Sequence, residues 1–282
     1  MTILVTGASG HLGHLVVERL LACGAAASDI VAGARTLDKV ADLATQGVRV
    51  VELDYDRPET VTAALQGVDR VLLVSGDAVG KRLGQHRAVI DAAAGVDLFV
   101  YTSLYRATES SLPLAAEHVQ TEQAIAASGL PATILRNDWY TENYVGDVAR
   151  AAQTGEIAAS AGDGRVASAS RVDYADAAAA VLLGDGHAGR TYELAGDVAW
   201  SFDDLAAAAT EVTGRPVTYR RLTGDEHVAA LEAAGLDAGT AGFVAALDAG
   251  IAAGDLAATE HTLAELIGRS TTPLVEGLRA AL

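Results

Sequence analysis

The chain has 282 residues, half of them hydrophobic, one cysteine and a formal net charge of −17. Its size and composition suit one large domain or a core with a smaller lobe, and they exclude a disordered chain. The charge argues against nucleic acid and anionic membranes as partners, because such binding rests on cations neutralising phosphates, and the lone Cys23 excludes a disulfide framework or zinc cluster.

The first half alternates two patterns. Short β-branched runs occur at TILVTGA (2–8), DIVAGAR (29–35), VRVVELD (48–54), RVLLVS (70–75), LFVYTS (98–103) and ATILRND (132–138). Helical spacing lies between them, as in Leu12, Leu15, Val16 and Leu20. Six strands joined by helix-length crossovers imply a parallel sheet covered on both faces, with right-handed connections. Past residue 140 the rhythm changes. Helices are expected over 140–153 and 174–183, with two short extended pieces flanking the turn Asp163-Gly164. TYELAG (191–196) and VTYRRL (217–222) read as further strands, and Ser201 to Asp204 as a capping box opening a helix to Val212. The expected organisation is a dinucleotide-binding core over 1–153 and a smaller α/β lobe over 154–282, interleaved with it. No apolar run reaches the roughly 18 residues of a membrane span. No basic leader precedes Thr2, so a soluble cytoplasmic protein is the expectation.

The glycines of TGASGHLG (6–13) follow the first strand and open the first helix, spaced G-x-x-G-x-x-G. A helix N-terminus offers unpaired N–H groups and the positive end of a dipole, so it suits a pyrophosphate. Thr6, Gly7, Ser9, Gly10, His11, Leu12 and Gly13 are expected around it. The second strand ends in Arg35 rather than an acid, and a guanidinium can fork onto a 2′-phosphate; this favours NADP over NAD. Asp54, ending the third strand, is read either as a partner of the adenine amino group or as the cap of a turn.

TGASGHLG, Arg35 and Thr102-Ser103 together resemble the atypical short-chain dehydrogenase/reductases of the NmrA-like group. The likeness spans the chain and sharpens at YTSLYRA (101–107), AAEHVQTEQAIAASG (115–129), LRNDWYTENY (135–144), AGDGRVASASRVDYADAA (161–178) and YELAGDVAW (192–200). It is most specific for the NADPH-dependent, quinone-reducing type 2 branch. The resemblance implies a Rossmann-type doubly wound parallel sheet, NADPH as cofactor and a small quinone as acceptor.

Many relatives of this fold reduce ketones with a Tyr-x-x-x-Lys pair. Here neither lysine, Lys39 or Lys81, stands four residues after any tyrosine, and His118 and Glu122 occupy the helix where the pair would be. A ketone resists hydride until its oxygen is protonated or strongly hydrogen-bonded, whereas a quinone is far more electrophilic. The missing pair therefore disfavours ketone or sugar chemistry. It is equally compatible with quinone reduction and with an NADP(H)-binding redox sensor that acts through a protein partner.

The remaining candidates cluster where the strands end, since open α/β sheets bind ligands there. Ser75 and Gly76 are expected beside the cofactor ribose and pyrophosphate. Tyr101, Thr102 and Ser103 are expected beside the nicotinamide, followed by Asn137, Trp139, Tyr140 and Asn143. Asn137 suits a carboxamide or quinone oxygen, and Trp139 or Tyr140 a flat ring. Tyr101, Ser103, Asn137 and Trp139 are the residues expected to shape the reaction site. His118 is a candidate acid–base, but an exposed or structurally bonded helix histidine is the favoured reading. Tyr105 is placed at the substrate mouth, and GDGRVASASR (162–171) is expected to be a mobile flap.

Overall fold

The computed structural model describes residues 1–282. Six strands coincide with the six apolar runs: β1 (Ile3–Val5), β2 (Ile30–Ala34), β3 (Arg49–Glu52), β4 (Arg70–Leu73), β5 (Leu98–Leu104) and β6 (Ala132–Asn137). Helices α1 (His11–Ala22), α2 (Ala41–Thr45), α3 (Pro58–Ala64), α4 (Arg82–Ala92) and α5 (Ala115–Ser128) connect them. The period of two sorts the strand residues. Ile3 and Val5 pack with Val16 and Leu20 of α1, while Leu4 packs on the opposite face with Val61 of α3 and Val89 of α4.

The later half holds α6 (Val145–Thr154), β7 (Glu156–Ala159), β8 (Arg165–Val166), α7 (Arg171–Leu183), β9 (Thr191–Leu194), β10 (Trp200–Ser201), α8 (Phe202–Thr213) and β11 (Thr218–Arg221). Four helices close the chain, α9 (Gly224–Ala233), α10 (Ala238–Ala253), α11 (Thr262–Ile267) and α12 (Leu274–Ala281). β9 joins the main sheet, whose order is β3-β2-β1-β4-β5-β6-β9, every pair parallel. α7 packs on α1 and α11 packs on α7 and β9, so three elements from beyond residue 153 complete the core. The pieces flanking Asp163-Gly164 do not pair with each other: β7 runs parallel to β11 and β8 antiparallel to β10. Ser201 and Asp204 form a reciprocal capping box at α8.

A second hydrophobic cluster, with Val148, Ile157, Trp200, Phe202 and Leu278 among its members, draws on residues from both sides of residue 153. Ser160, His227 and Asp248 meet there, but both the serine hydroxyl and the carboxylate bind Nδ1 of the imidazole, each at 3.0 Å. A nucleophilic triad needs them on opposite ring nitrogens, so this group is a latch between β7, α9 and α10. The stretch 162–171 is not a flap. Val166 to Ser170 are buried, Ala167 N–H donates to Leu256 O, and Ala169 N–H donates to Trp139 O. Its small residues are there because it threads between the two hydrophobic clusters, Val166 packing in one and Ala169 in the other.

Candidate active site

The glycine turn sits between β1 and α1. Gly7 adopts φ +60°, and a Cβ on Gly13 would lie 2.5 Å from the Gly7 carbonyl oxygen. The first glycine makes the turn and the third lets the helix approach the strand. Gly10 is the N-cap of α1; no side chain caps the helix and its first turn carries no acid. The N–H groups of that turn and the dipole's positive end are left for an anion.

They open onto a cleft of about 490 Å³ across the ends of the strands. Gly7, Ser9, Gly10, His11, Leu12 and Gly13 form its floor. Arg35 and Lys39 stand at the β2 end, with Leu53, Asp54 and Tyr55 from beyond β3. Asp54 Oδ1 accepts the Asp56 N–H at 3.0 Å, so it caps a turn while also lining the cleft. Val74 to Asp77, Gln85, Thr102, Tyr140 and Arg171 close the other end.

The edge beyond β4 is tied from below. Three successive N–H groups each find a side chain: Val74 on Thr6 Oγ1 at 3.0 Å, Ser75 on Thr102 Oγ1 at 2.9 Å, Gly76 on His86 Nε2 at 3.0 Å. Thr6 is therefore a buried brace rather than a wall of the cleft. Arg82 Nε binds the Gly76 carbonyl, leaving the Ser75 hydroxyl and carbonyl as the free polar groups of this edge. His86 accepts at Nε2, so its proton sits on Nδ1, 3.0 Å from Thr121 Oγ1. Burial, with the nearby Arg82 charge, pushes the imidazole down to about 3 and keeps it neutral.

Tyr101 and Ser103 do not face the cleft. Strand residues two apart advance about 6.6 Å and helix residues four apart about 6 Å, so Tyr101 and Ser103 match His118 and Glu122 of α5 in register. Tyr101 is fully buried, its hydroxyl 2.8 Å from His118 Nδ1. Ser103 donates to Glu122 Oε1 at 2.5 Å. Burial, helped by Arg82 and His86, pushes His118 down to about 3, so it is a neutral partner of a core tyrosine and not an acid at the site. Glu122 takes a two-pronged ion pair from Arg136, whose third nitrogen reaches Glu193 at 2.7 Å. The place of the Tyr/Lys pair is filled by groups already committed to one another.

Beyond β6, Asn137 is buried and its Nδ2 lies 3.4 Å from the Tyr140 hydroxyl. Its Oδ1 has no partner, an acceptor held next to a residue of the cleft. Trp139 lies outside the cleft and packs on the second hydrophobic cluster. Asn143 is exposed and outside it too, its Oδ1 accepting from Arg171 at 2.9 Å. Asp138 is buried with neither oxygen partnered, and burial pushes its carboxyl well above the ordinary range. Tyr105 is buried as well, its hydroxyl 3.2 Å from Glu260.

A model of the NmrA-like family matches residues 1–238. The chain belongs to that family. It is 47% identical to quinone oxidoreductase 2 of Escherichia coli over 98% of this chain and 97% of that protein. Its fold superposes on the NADPH complex of the NADPH-dependent quinone oxidoreductase from E. coli with TM-score 0.94, at 46% identity and 99% coverage of both chains. The NADP(H) complex of triphenylmethane reductase from Citrobacter sp. gives TM-score 0.94 at 39% identity, covering all of both chains.

In this NmrA-like chain the residues present fit a phosphorylated dinucleotide. The cradle between Gly7 and Gly13 is one that a side chain would fill, and the cations at the β2 end are exposed rather than paired within the fold. Lys39, Tyr55, Asp77, Gln85 and Arg171 also line the cleft and were not singled out by sequence. Lys39, four residues after Arg35 in a chain with two lysines, carried a readable signal. So did Arg171, which follows the capping residue of the S-x-x-D box that opens α7.

Proposed function

We propose that the protein is an NADPH-dependent oxidoreductase that passes hydride to a small quinone. The observation that carries this reading is the occupied Tyr/Lys position: a cleft built for a phosphorylated dinucleotide adjoins a strand edge whose candidate acids, His118 and Glu122, are tied into the core. Such a site suits an acceptor that takes hydride without first being protonated by the enzyme. The relatives, whose names specify quinones and triphenylmethane dyes as acceptors, point to the same class of conjugated, readily reduced molecule.

When bound, the cofactor supplies hydride from its reduced nicotinamide. The chain's residues orient it. The N–H groups at the start of α1 hold the pyrophosphate, and Arg35 with Lys39 the 2′-phosphate. Thr102 and Tyr140 would bound the nicotinamide end, with Asn137 buried behind Tyr140 and outside the cleft. Buried, neutral His86 accepts the Gly76 N–H and keeps the Ser75–Gly76 edge fixed. With no acid in the chain committed to the acceptor, the one proton that completes the hydroquinone comes from water. The charge of −17 favours a neutral or cationic acceptor over an anionic one. The same reading places the protein in the cytoplasm. No helix is long and apolar enough to cross a membrane.

Mixing the protein with NADPH, with and without benzoquinone, tests the reading through the nicotinamide absorbance. Oxidation requiring both protein and quinone supports it. Tight NADPH binding with no rate above the uncatalysed reaction would replace it with the redox-sensing reading.

A further inference from the structure

Arg171 is the single cation that the later half of the chain brings to the cleft, the others being Arg35 and Lys39. It is the first residue of α7. A second, open cavity of about 570 Å³ lies on the far side of the glycine turn, and Ser9, Gly10, His11 and Arg171 line both. These four residues border both spaces, which places Arg171 and the start of α1 around one point of the lining. That point is the pyrophosphate position of the preceding section, on which this inference rests.

The arginine is held rather than free. Its guanidinium carbon lies 4.8 Å from the Tyr140 ring centroid, its Nη2 donates to Asn143 Oδ1 at 2.9 Å, and its Nη1 is 3.7 Å from Glu142. The Glu142 carboxylate also accepts the Arg171 main-chain N–H, at 2.9 and 3.1 Å, which fixes the start of α7. Glu142 neutralises only part of the charge at that separation, and stacking leaves the guanidinium edge available for hydrogen bonds. The segment Tyr140 to Asn143 thus acts as a mount.

We infer that Arg171 is a pyrophosphate clamp, aimed by Tyr140, Glu142 and Asn143, which closes on the cofactor from the side opposite the glycine turn. It acts on the part shared by NADPH and NADH, whereas Arg35 acts on the 2′-phosphate that distinguishes them.

Titration calorimetry of the full chain with four ligands separates these roles: NADPH, NADH, ADP-ribose (pyrophosphate, no 2′-phosphate) and 2′-AMP (2′-phosphate, no pyrophosphate). Arg171→Gln is expected to weaken the first three alike, about 10- to 100-fold, and to leave 2′-AMP unchanged. Arg171→Lys keeps a point charge and recovers part of the loss. Asn143→Ala, at an exposed position, gives a smaller loss in the same three ligands and serves if the glutamine variant does not fold. Unchanged affinities across all variants, or losses confined to NADPH and 2′-AMP, would overturn the clamp. A wild-type protein that binds none of the four would overturn the cofactor reading itself.

Discussion

Asp138 is a buried carboxyl with no hydrogen-bond partner for either oxygen, so Asp138→Asn should stabilise the protein at neutral pH. Burial raises its folded-state pKa, so the native chain keeps a proton that the unfolded chain releases above about pH 3.9. Stability from this group is complete below that value and is lost as pH rises toward the folded pKa. Between the unfolded and folded values the wild type loses stability relative to the unfolded chain as pH rises, whereas the asparagine variant does not. The amide leaves its own polar atoms unpaired at about 1–3 kcal/mol, a cost that does not vary with pH. The expected outcome is a gain over the wild type that increases with pH. Urea unfolding of both proteins from pH 4 to pH 8 measures it. The stability difference, variant minus wild type, should grow with pH, by up to about 1.4 kcal/mol per unit, from the unfolded value toward the folded one. Every other titrating group cancels in that difference. A difference that stays flat with pH would show Asp138 ionised and paired in the folded protein, and would refute the argument.

Arg35→Ala should weaken NADPH about 10- to 100-fold and NADH little, read by fluorescence titration; equal losses would remove the 2′-phosphate assignment. His86 and His118, held near 3 by burial, give the opposite pH dependence from Asp138. Their contribution is complete above about pH 6.5 and is lost as pH falls toward 3, because the unfolded imidazoles take up protons that the buried ones refuse. Replacing His86 by glutamine should flatten that acid limb in unfolding measurements. Gly13→Ala puts a methyl 2.5 Å from the Gly7 carbonyl oxygen and should cost about 1–3 kcal/mol, with a lower melting temperature and weaker NADPH binding.

Six strands were legible because each is a short β-branched run between helical patterns, and β1 with its glycine turn located the cleft. What escaped is set by tertiary structure. TYELAG is recognisable as a strand, but only its pairing with β6 puts it in the main sheet. The period of two places Tyr101 and Ser103 on one face and Thr102 on the other. Nothing local says which face meets the ligand, and α5 claims the two that were expected to react. Starting α7 at residue 174 rather than 171 hid both the box of Ser170 and Asp173 and the arginine between them. The small residues of 162–171 look mobile in isolation, yet they are small because two hydrophobic clusters close around them.

The most direct test of the account is a single-turnover measurement with NADPH deuterated at the transferring position of its nicotinamide ring, mixed with excess benzoquinone. The account predicts enzyme-dependent oxidation of the bound coenzyme, slowed severalfold by deuterium on one face of the ring and not the other. Coenzyme that binds the cleft and stays reduced in the presence of quinone would contradict it.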